Sequence, residues 1–437
     1  MSTGMRPTGV GTRSHPLVGA MLRIEVEESD TESELVFRAG GKPERIPIAP
    51  AIRMADARRN IRDACKEFQA MVGDALPLND WSRLNRAIQD LYEAGSALLF
   101  ALLDREGSVR LQRFLLKRAP LLLRPMPERS RISPVIEIDS PRDYLHFEVL
   151  PLFAHSAPPR VRDKSSLRRA MATFAGMSCI IRRTLLKATH SDLILQANGG
   201  LPIKVFRDTS LAGSNQEMEF FASHEADFAI DGPWPQRRIE PDTFGKALAR
   251  FLTQPSVSFA GKRRRPADQV HHISCHCYIG ERVTQKNYLE FCYDGMSYKA
   301  TLRELNSEYR QFYIKGANRR QRAGSGPPLA FLNACSSVAS DAEDLCSFPG
   351  LLLSSHRGVI GTETRIGDTI ASEFSRVFYE SLLSGRTLGE SMQAARWQLI
   401  DAHNNPMGLA YTLYADPNVR VSNTDIERGE DDGQETQ

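Results

Sequence analysis

The sequence predicts an α/β fold, a mostly parallel sheet flanked by helices and preceded by a helix-rich N-terminal domain, and three observations carry that reading. From about Pro134 onward, short apolar runs recur between polar or turn-forming residues. Helical stretches separate those runs, which is the rhythm of strands whose chain must cross back over a sheet to run parallel. Before Pro134 the pattern is different, with long segments that carry apolar residues at helical spacing.

Taken in order, residues 1–16 are rich in Gly, Ser, Thr and Pro and are expected to be a disordered leader. Residues 17–130 read as a mostly helical accessory domain with a short strand pair. Met21 to Val26 alternates apolar and polar residues, and Glu34 to Arg38 supplies a partner strand. Helices are expected over Ala55 to Val72 and Asp80 to Leu103. Asn79 or Asp80 is the capping candidate, and Leu84, Ile88, Leu91 and Leu98 form one apolar face. Residues 131–422 form the α/β domain, with strands at Val135 to Ile138, Pro202 to Phe206, Asp227 to Asp231, Val270 to His276, Leu329 to Asn333 and Gly358 to Thr362. Its helices are Gln216 to Ser223, Asp242 to Leu252, Ile370 to Leu383 and Leu388 to His403. Residues 423–437 are an acidic tail without an apolar face, and no repeat of fixed period runs through the chain.

Composition narrows the function classes. A chain of 437 residues with 41% hydrophobic content can bury a large core over two or three domains. No apolar run approaches the roughly 18 residues a bilayer requires, and the first residues lack an apolar stretch of signal type, so a cytoplasmic protein without membrane contact is expected. The seven cysteines (Cys65, Cys179, Cys275, Cys277, Cys292, Cys335 and Cys346) are odd in number and irregular in spacing. That argues for individual thiols over a disulfide framework. A net charge of +3 is too small to mark a nucleic-acid binder. The local basic clusters, Lys262 to Arg265 and Arg319, Arg320 and Arg322, read as solvated loops.

Two residues stand at equivalent places. His276 ends the apolar run Val270 to His276, and Cys335 follows the run Leu329 to Asn333. The carboxyl edge of an open α/β sheet is where sites assemble, and neighbouring parallel strands lie about 4.8 Å apart. A thiol is mostly protonated at neutral pH, so a nucleophilic cysteine needs a base such as imidazole beside it. Spacing alone fits equally a buried structural cysteine and a satisfied core histidine. The cluster His271, His272, Cys275, His276 and Cys277 also raises a zinc reading. Strand alternation opposes it, sending His272, Ser274 and His276 to one face and His271, Ile273, Cys275 and Cys277 to the other.

From about Pro134 to Val421 the sequence resembles the CHAT domain, a caspase-like family of clan CD cysteine peptidases related to separase and the caspases. The resemblance runs through blocks in order: Tyr144 to Leu150, Ile180 to Arg182, Leu201 to Glu217, His272 to His276, Leu332 to Ser336, Gly358 to Thr362, Phe378 to Gly385, and Leu409 to Val421. It implies a caspase-like fold and a cysteine endopeptidase, with Cys335 as nucleophile, His276 as general base, and the backbone N–H groups of Cys335 and Cys277 as oxyanion hole. It requires no cofactor and no metal.

The chain departs from the family at two places. Many members carry Gly where Cys277 stands; a backbone amide still donates from a cysteine if φ there is negative. Many carry Trp where Glu363 stands. A carboxylate beside the cleft could pair with a basic substrate side chain, and Glu363, Asp368 and Asp341 are the candidates, with Glu343 and Asp344 behind them. Arg319, Arg320 and Arg322 lie between His276 and Cys335, where caspase-like enzymes carry a flexible connection, and mark a candidate self-cleavage loop. The resemblance further implies a regulated bacterial protease with a protein substrate, a regulatory protein partner on the N-terminal domain, and a place in antiviral defence or cell death, such as activating a pore-forming protein. A catalytically impaired scaffold for protein contacts and a nucleotide- or nucleic-acid-responsive module are the rival readings.

Overall fold

The protein is described here from a computed structural model covering residues 21–28, 33–48, 51–73, 76–123, 133–139, 146–153, 157–185, 193–197, 199–253, 259–260, 263–264, 268–279, 287–316, 326–337 and 347–422. The chain begins with β1 (Leu22–Glu28), β2 (Ser33–Arg38) and β3 (Glu44–Pro47), an antiparallel meander. Leu22, Ile24 and Val26 are buried while Arg23 and Glu25 point outward and pair across the strands with Asp139 and Arg38, which is why the alternating pattern settles as a strand with one wet face. Helices α1 (Ala51–Val72) and α2 (Trp81–Arg118) follow and pack on each other. Asp80 caps α2, its side chain accepting from the Arg83 N–H at 2.9 Å. The helix is interrupted at Asp104, one residue past its expected end, and then resumes to Arg118.

β4 (Val135–Asp139), α3 (Lys164–Met171), α4 (Ala175–Ser178) and β5 (Ile180–Thr184) come next. β4 and β5 do not enter the central sheet. They extend the N-terminal meander into a five-stranded sheet ordered β3-β2-β1-β4-β5, with Leu22 opposite Ile136 and Val135 opposite Ile180. The expectation that Val135 to Ile138 is a strand of the central sheet is therefore corrected. An apolar run states that a strand is buried, not which neighbour buries it. The sheet also spans the boundary drawn at residue 130.

The rest of the chain runs β6 (Ile194–Gln196), β7 (Leu201–Arg207), α5 (Ala212–Ser223), β8 (Phe228–Trp234), α6 (Pro241–Thr253), β9 (Phe259–Ala260), β10 (Arg263–Arg264), β11 (Val270–Ser274), β12 (His276–Tyr278), β13 (Tyr288–Tyr293), β14 (Met296–Thr301) and α7 (Leu302–Gly316). It ends with β15 (Leu329–Asn333), α8 (Phe348–Leu353), β16 (Gly358–Thr362), α9 (Asp368–Leu383), α10 (Leu388–His403), β17 (Tyr411–Tyr414) and β18 (Arg420–Ser422). The central sheet is ordered β17-β16-β15-β11-β7-β8, parallel except for the antiparallel edge strand β17. Successive side chains of one strand feed two separate cores. Phe331 of β15 joins Phe221 of α5 and Phe374 and Phe378 of α9. Its neighbours Ala330 and Leu332 join Phe244 and Leu248 of α6, Leu305 of α7 and Phe348 of α8. Buried on both faces, β15 and β16 read as largely apolar runs, whereas β11 carries His271, His272 and Ser274 into the interior.

Candidate active site

The strand expected over Val270 to His276 breaks. β11 ends at Ser274, Cys275 forms a bend, and His276 opens β12 in a separate three-stranded antiparallel sheet ordered β12-β13-β14. The face assignment that placed His276 with His272 is corrected accordingly. The break comes where β11 passes the end of its pairing: Ser274 lies opposite Asn333 of β15 on one side and Arg207 of β7 on the other, and none of these pairings continues. No group of three or more His, Cys, Asp or Glu side chains converges as a metal site among the described residues.

The pairing of Ser274 with Asn333 sets the site. Two residues beyond Ser274 is His276, and two residues beyond Asn333 is Cys335, so both leave adjacent parallel strands at the same edge. Both are half-buried. Cys335 sits in a tight turn, Ala334 to Ser337. Ser336 takes a left-handed φ of 52° and its N–H donates to Thr364 O at 3.0 Å. Ser337 Oγ donates to Leu332 O at 3.1 Å and accepts from Thr362 N–H at 2.9 Å, while Thr362 Oγ1 donates to Ala334 O at 2.7 Å. The Cys335 thiol donates to Ile366 O at 3.5 Å. The turn is thus laced to the segment that follows β16.

That segment also carries Asp368, the first residue of α9. Its Oδ2 accepts the Gly213 N–H at 2.7 Å, and Gly213 is required there, because a Cβ would lie 2.3 Å from Asp368 O. Burial raises the Asp368 carboxyl above the usual range, and the hydrogen bond from Gly213 opposes that rise. Asp368 is thus fixed against the first turn of α5.

Cys277 is buried in β12, its backbone extended opposite Leu289. Among the described non-glycine residues, φ is positive only at Asp104, Asp294, Ser336 and Asn404, so Cys277 meets the condition under which its N–H stays usable. Burial pushes the thiols of Cys275 and Cys277 well up, which leaves them protonated beside the more exposed Cys335.

Glu363 has a different place from the one expected. Its carboxylate pairs with Arg183 at 2.8 Å and lies 3.4 Å from His146. Its side chain is 10% exposed and lines a small cleft with Cys65 and Phe68 of α1 and Leu91 of α2. The idea that it selects a substrate cation is corrected, because its charge is already met by a buried guanidinium. Burial, with Glu363 adding, pushes the Cys65 thiol up to about 12. Burial, then Arg183 and Arg62, pull His146 down to about 3. Asp341, Glu343 and Asp344, and the basic loop of Arg319, Arg320 and Arg322, lie outside the described residues.

Behind the edge lies a buried polar network that sequence reading missed. Glu217 of α5 accepts from Asn333 Nδ2 and from Ser375 Oγ, the latter at 2.7 Å, and lies 3.1 Å from His272 Nε2. Tyr411 OH donates to Asn333 Oδ1 at 2.6 Å, and His272 Nδ1 is 3.1 Å from Tyr379 OH. Burial alone would raise the Glu217 carboxyl, but His272, Ser375 and Ser274 outweigh it and hold it below the usual range. The readable signal was Asn333 itself, a polar residue closing an otherwise apolar buried strand.

Residues 204–420, which hold the central sheet except the first three residues of β7 and include Gly213, His276, Cys335 and Asp368, match the CHAT domain family. The chain carries a CHAT domain. A curated relative from Vitiosangium sp. (strain GDMCC 1.1324), named a probable protease, is 31% identical over 99 residues, which is 22% of this chain and 13% of that relative's length. Among solved structures, the chain is similar to one of the Saccharomyces cerevisiae separase–securin complex (TM-score 0.46, 11% identity, 92% of this chain and 30% of that one). It is also similar to one of the Porphyromonas gingivalis RgpB pro- and mature domains (TM-score 0.39, 11% identity, 86% of this chain and 79% of that one). No helix among the described residues is long and apolar enough to cross a membrane.

Proposed function

We propose that this protein is a cysteine endopeptidase that acts through Cys335 and His276. The observation that carries the reading is the register of β11 against β15, which brings the two residues off one edge of adjacent strands. In the proposed reaction the Cys335 thiolate attacks the substrate carbonyl carbon. The imidazolium of His276 gives its proton to the leaving amine as the C–N bond breaks, leaving a thioester on Cys335. Water then attacks the thioester, His276 takes its proton, and the acid leaves with the thiolate restored. The N–H groups of Cys335 and Cys277 are the proposed oxyanion donors, and no cofactor takes part.

The substrate we infer is another protein, and the accessory helices α1 and α2 are the proposed seat of a regulatory partner. The defence setting, in which a pore-forming protein is the target, rests on the family resemblance. The test is to co-express candidate protein targets with wild type, Cys335→Ala and His276→Ala and map new amino termini. Cleavage by wild type alone, together with labelling of Cys335 by a peptide acyloxymethyl ketone, is the expected result. Undiminished cleavage by Cys335→Ala removes the assignment, and absence of labelling with an intact fold favours a scaffold.

A further inference from the structure

The sheet that begins at His276 has one buried and one open face. Cys277, Leu289, Phe291, Tyr298 and Ala300 point into the core around Phe244 and Leu248. The alternate positions, His276, Tyr278, Tyr288, Glu290 and Lys299, share the other face, with His276 opposite Glu290 and Tyr278 opposite Tyr288. Tyr278 is 41% exposed, which is high for a large ring beside a catalytic candidate. It is also held still. Its ring stacks on Tyr288 at 4.7 Å and 21°, and burial, with the Glu290 carboxylate adding, raises its phenol above the ordinary range. Glu290 accepts from Ser297 Oγ and lies 3.8 Å from Lys299 Nζ, and that ammonium sits 4.9 Å from the Tyr288 ring. The hairpin is tied to the edge of the central sheet, since Thr209 N–H and Oγ1 both donate to Cys292 O at 2.8 Å.

We propose that this Tyr278–Tyr288 shelf is the subsite for the side chain immediately after the scissile bond, and that it takes a large apolar or aromatic residue. The inference rests on the peptidase reading and deepens it. His276 must lie within hydrogen-bond reach of the leaving nitrogen, roughly 3 Å. The residue that owns that nitrogen therefore lies beside His276. The ring centre of Tyr278 is 6.3 Å from that of His276, a distance one side chain spans. Glu290 and Lys299 face each other and Lys299 lies over the Tyr288 ring, while the exposed Arg365 adds its charge to the neighbourhood of Tyr278, so the fixed apolar surface of the shelf is that of the two stacked rings. A rigid ring of this kind gains contact area at small entropic cost.

The experiment starts from a peptide that wild type cuts, found by terminal mapping of a proteome-derived peptide library. Peptides carrying Leu, Phe, Gly or Asp immediately after the cut bond are then compared by kcat/KM. Wild type is expected to prefer Leu and Phe over Gly by about tenfold, the discrimination a small apolar contact provides. Tyr278→Ala is expected to collapse that ratio toward one, and Tyr278→Phe to keep most of it. Tyr288→Ala, which removes the underlying ring, repeats the test should Tyr278→Ala fail to fold. A wild type with no preference for Leu and Phe over Gly, or a ratio unchanged in Tyr278→Ala, overturns the subsite while leaving the peptidase reading intact. Absence of any Cys335-dependent cleavage in the library removes both.

Discussion

His272 and His276 are four residues apart, and they live in different chemical worlds. His272 lies inside the central sheet, fully buried, between Glu217 and Tyr379. His276 lies past the bend at Cys275, half-exposed at the edge that carries Cys335. The interior network makes one arrangement of β11, β15, α5 and α9 far better than any other, since each partner lost leaves a buried polar atom stranded. At the edge the hydrogen bonds hold the backbone of the Cys335 turn, while the His276 and Cys335 side chains stay half-exposed. What the contrast teaches is that the polar residue doing the structural work is the buried one, even where its neighbour has the same side chain.

The largest effect follows directly. Glu217→Ala takes the acceptor from the buried Asn333 amide and Ser375 hydroxyl and the partner from His272, and at about 1–3 kcal/mol for each buried polar group stranded it is expected to cost the most stability of the variants considered. His276→Ala removes a half-exposed side chain and is expected to change stability by less than about 0.5 kcal/mol while abolishing cleavage. Urea unfolding of the two variants beside wild type checks both. Equal destabilisation would erase the distinction between interior and edge.

A second test uses pH, at the place where the CHAT domain meets the accessory helices. His146 is held down to about 3 by burial, Arg183 and Arg62, whereas in the unfolded chain it titrates near the ordinary value of about 6.5. Between those values the unfolded chain binds the proton and the folded one does not. Stability is therefore complete above about 6.5 and falls as pH drops toward 3, by about 1.4 kcal/mol per unit at most. His146→Gln has no such proton to take up. The difference in unfolding free energy between wild type and His146→Gln should shrink or change sign from pH 7 to pH 5, and a difference that is flat over that range contradicts the buried neutral histidine.

Much of this was legible in the sequence, and the parts that were not share a cause. The strands over Leu201–Arg207, Val270–Ser274, Leu329–Asn333 and Gly358–Thr362 could be read because both their faces are buried and their short runs are rich in apolar residues. Asp80 as a cap could be read because capping is local. The partner of β4 could not, because sheet neighbours are set by contacts more than a hundred residues away. The break at Cys275 hid inside an apolar run that continues into the next sheet's buried face at Cys277. The β13–β14 hairpin did leave a signal, Asp294-Gly295 between two strands, and both residues take positive φ, as a two-residue turn demands. Recognising it would have placed Tyr278, Tyr288 and Glu290 on one face beside His276. Glu363 misled because a carboxylate after a strand looks the same in sequence whether it faces a substrate or, as here, Arg183.

The smallest expected effect concerns the turn that presents Cys335. Ser336 holds φ at 52°, a region that costs a residue with a Cβ about 1 kcal/mol or more. Ser336→Gly removes that cost but enlarges the freedom of the unfolded chain by about 0.5–1 kcal/mol. The two nearly cancel, so the stability of the glycine variant should stay within about 0.5 kcal/mol of wild type. Ser336→Val retains the Cβ and adds branching, and a loss of about 1–2 kcal/mol is expected, read from the same unfolding curves. The backbone bond from Ser336 N–H to Thr364 O is available to all three residues, so a difference between Gly and Val isolates the conformational cost from the hydrogen bond. Should Gly prove as damaging as Val, the serine side chain and not the left-handed backbone holds Cys335 at the edge of the sheet.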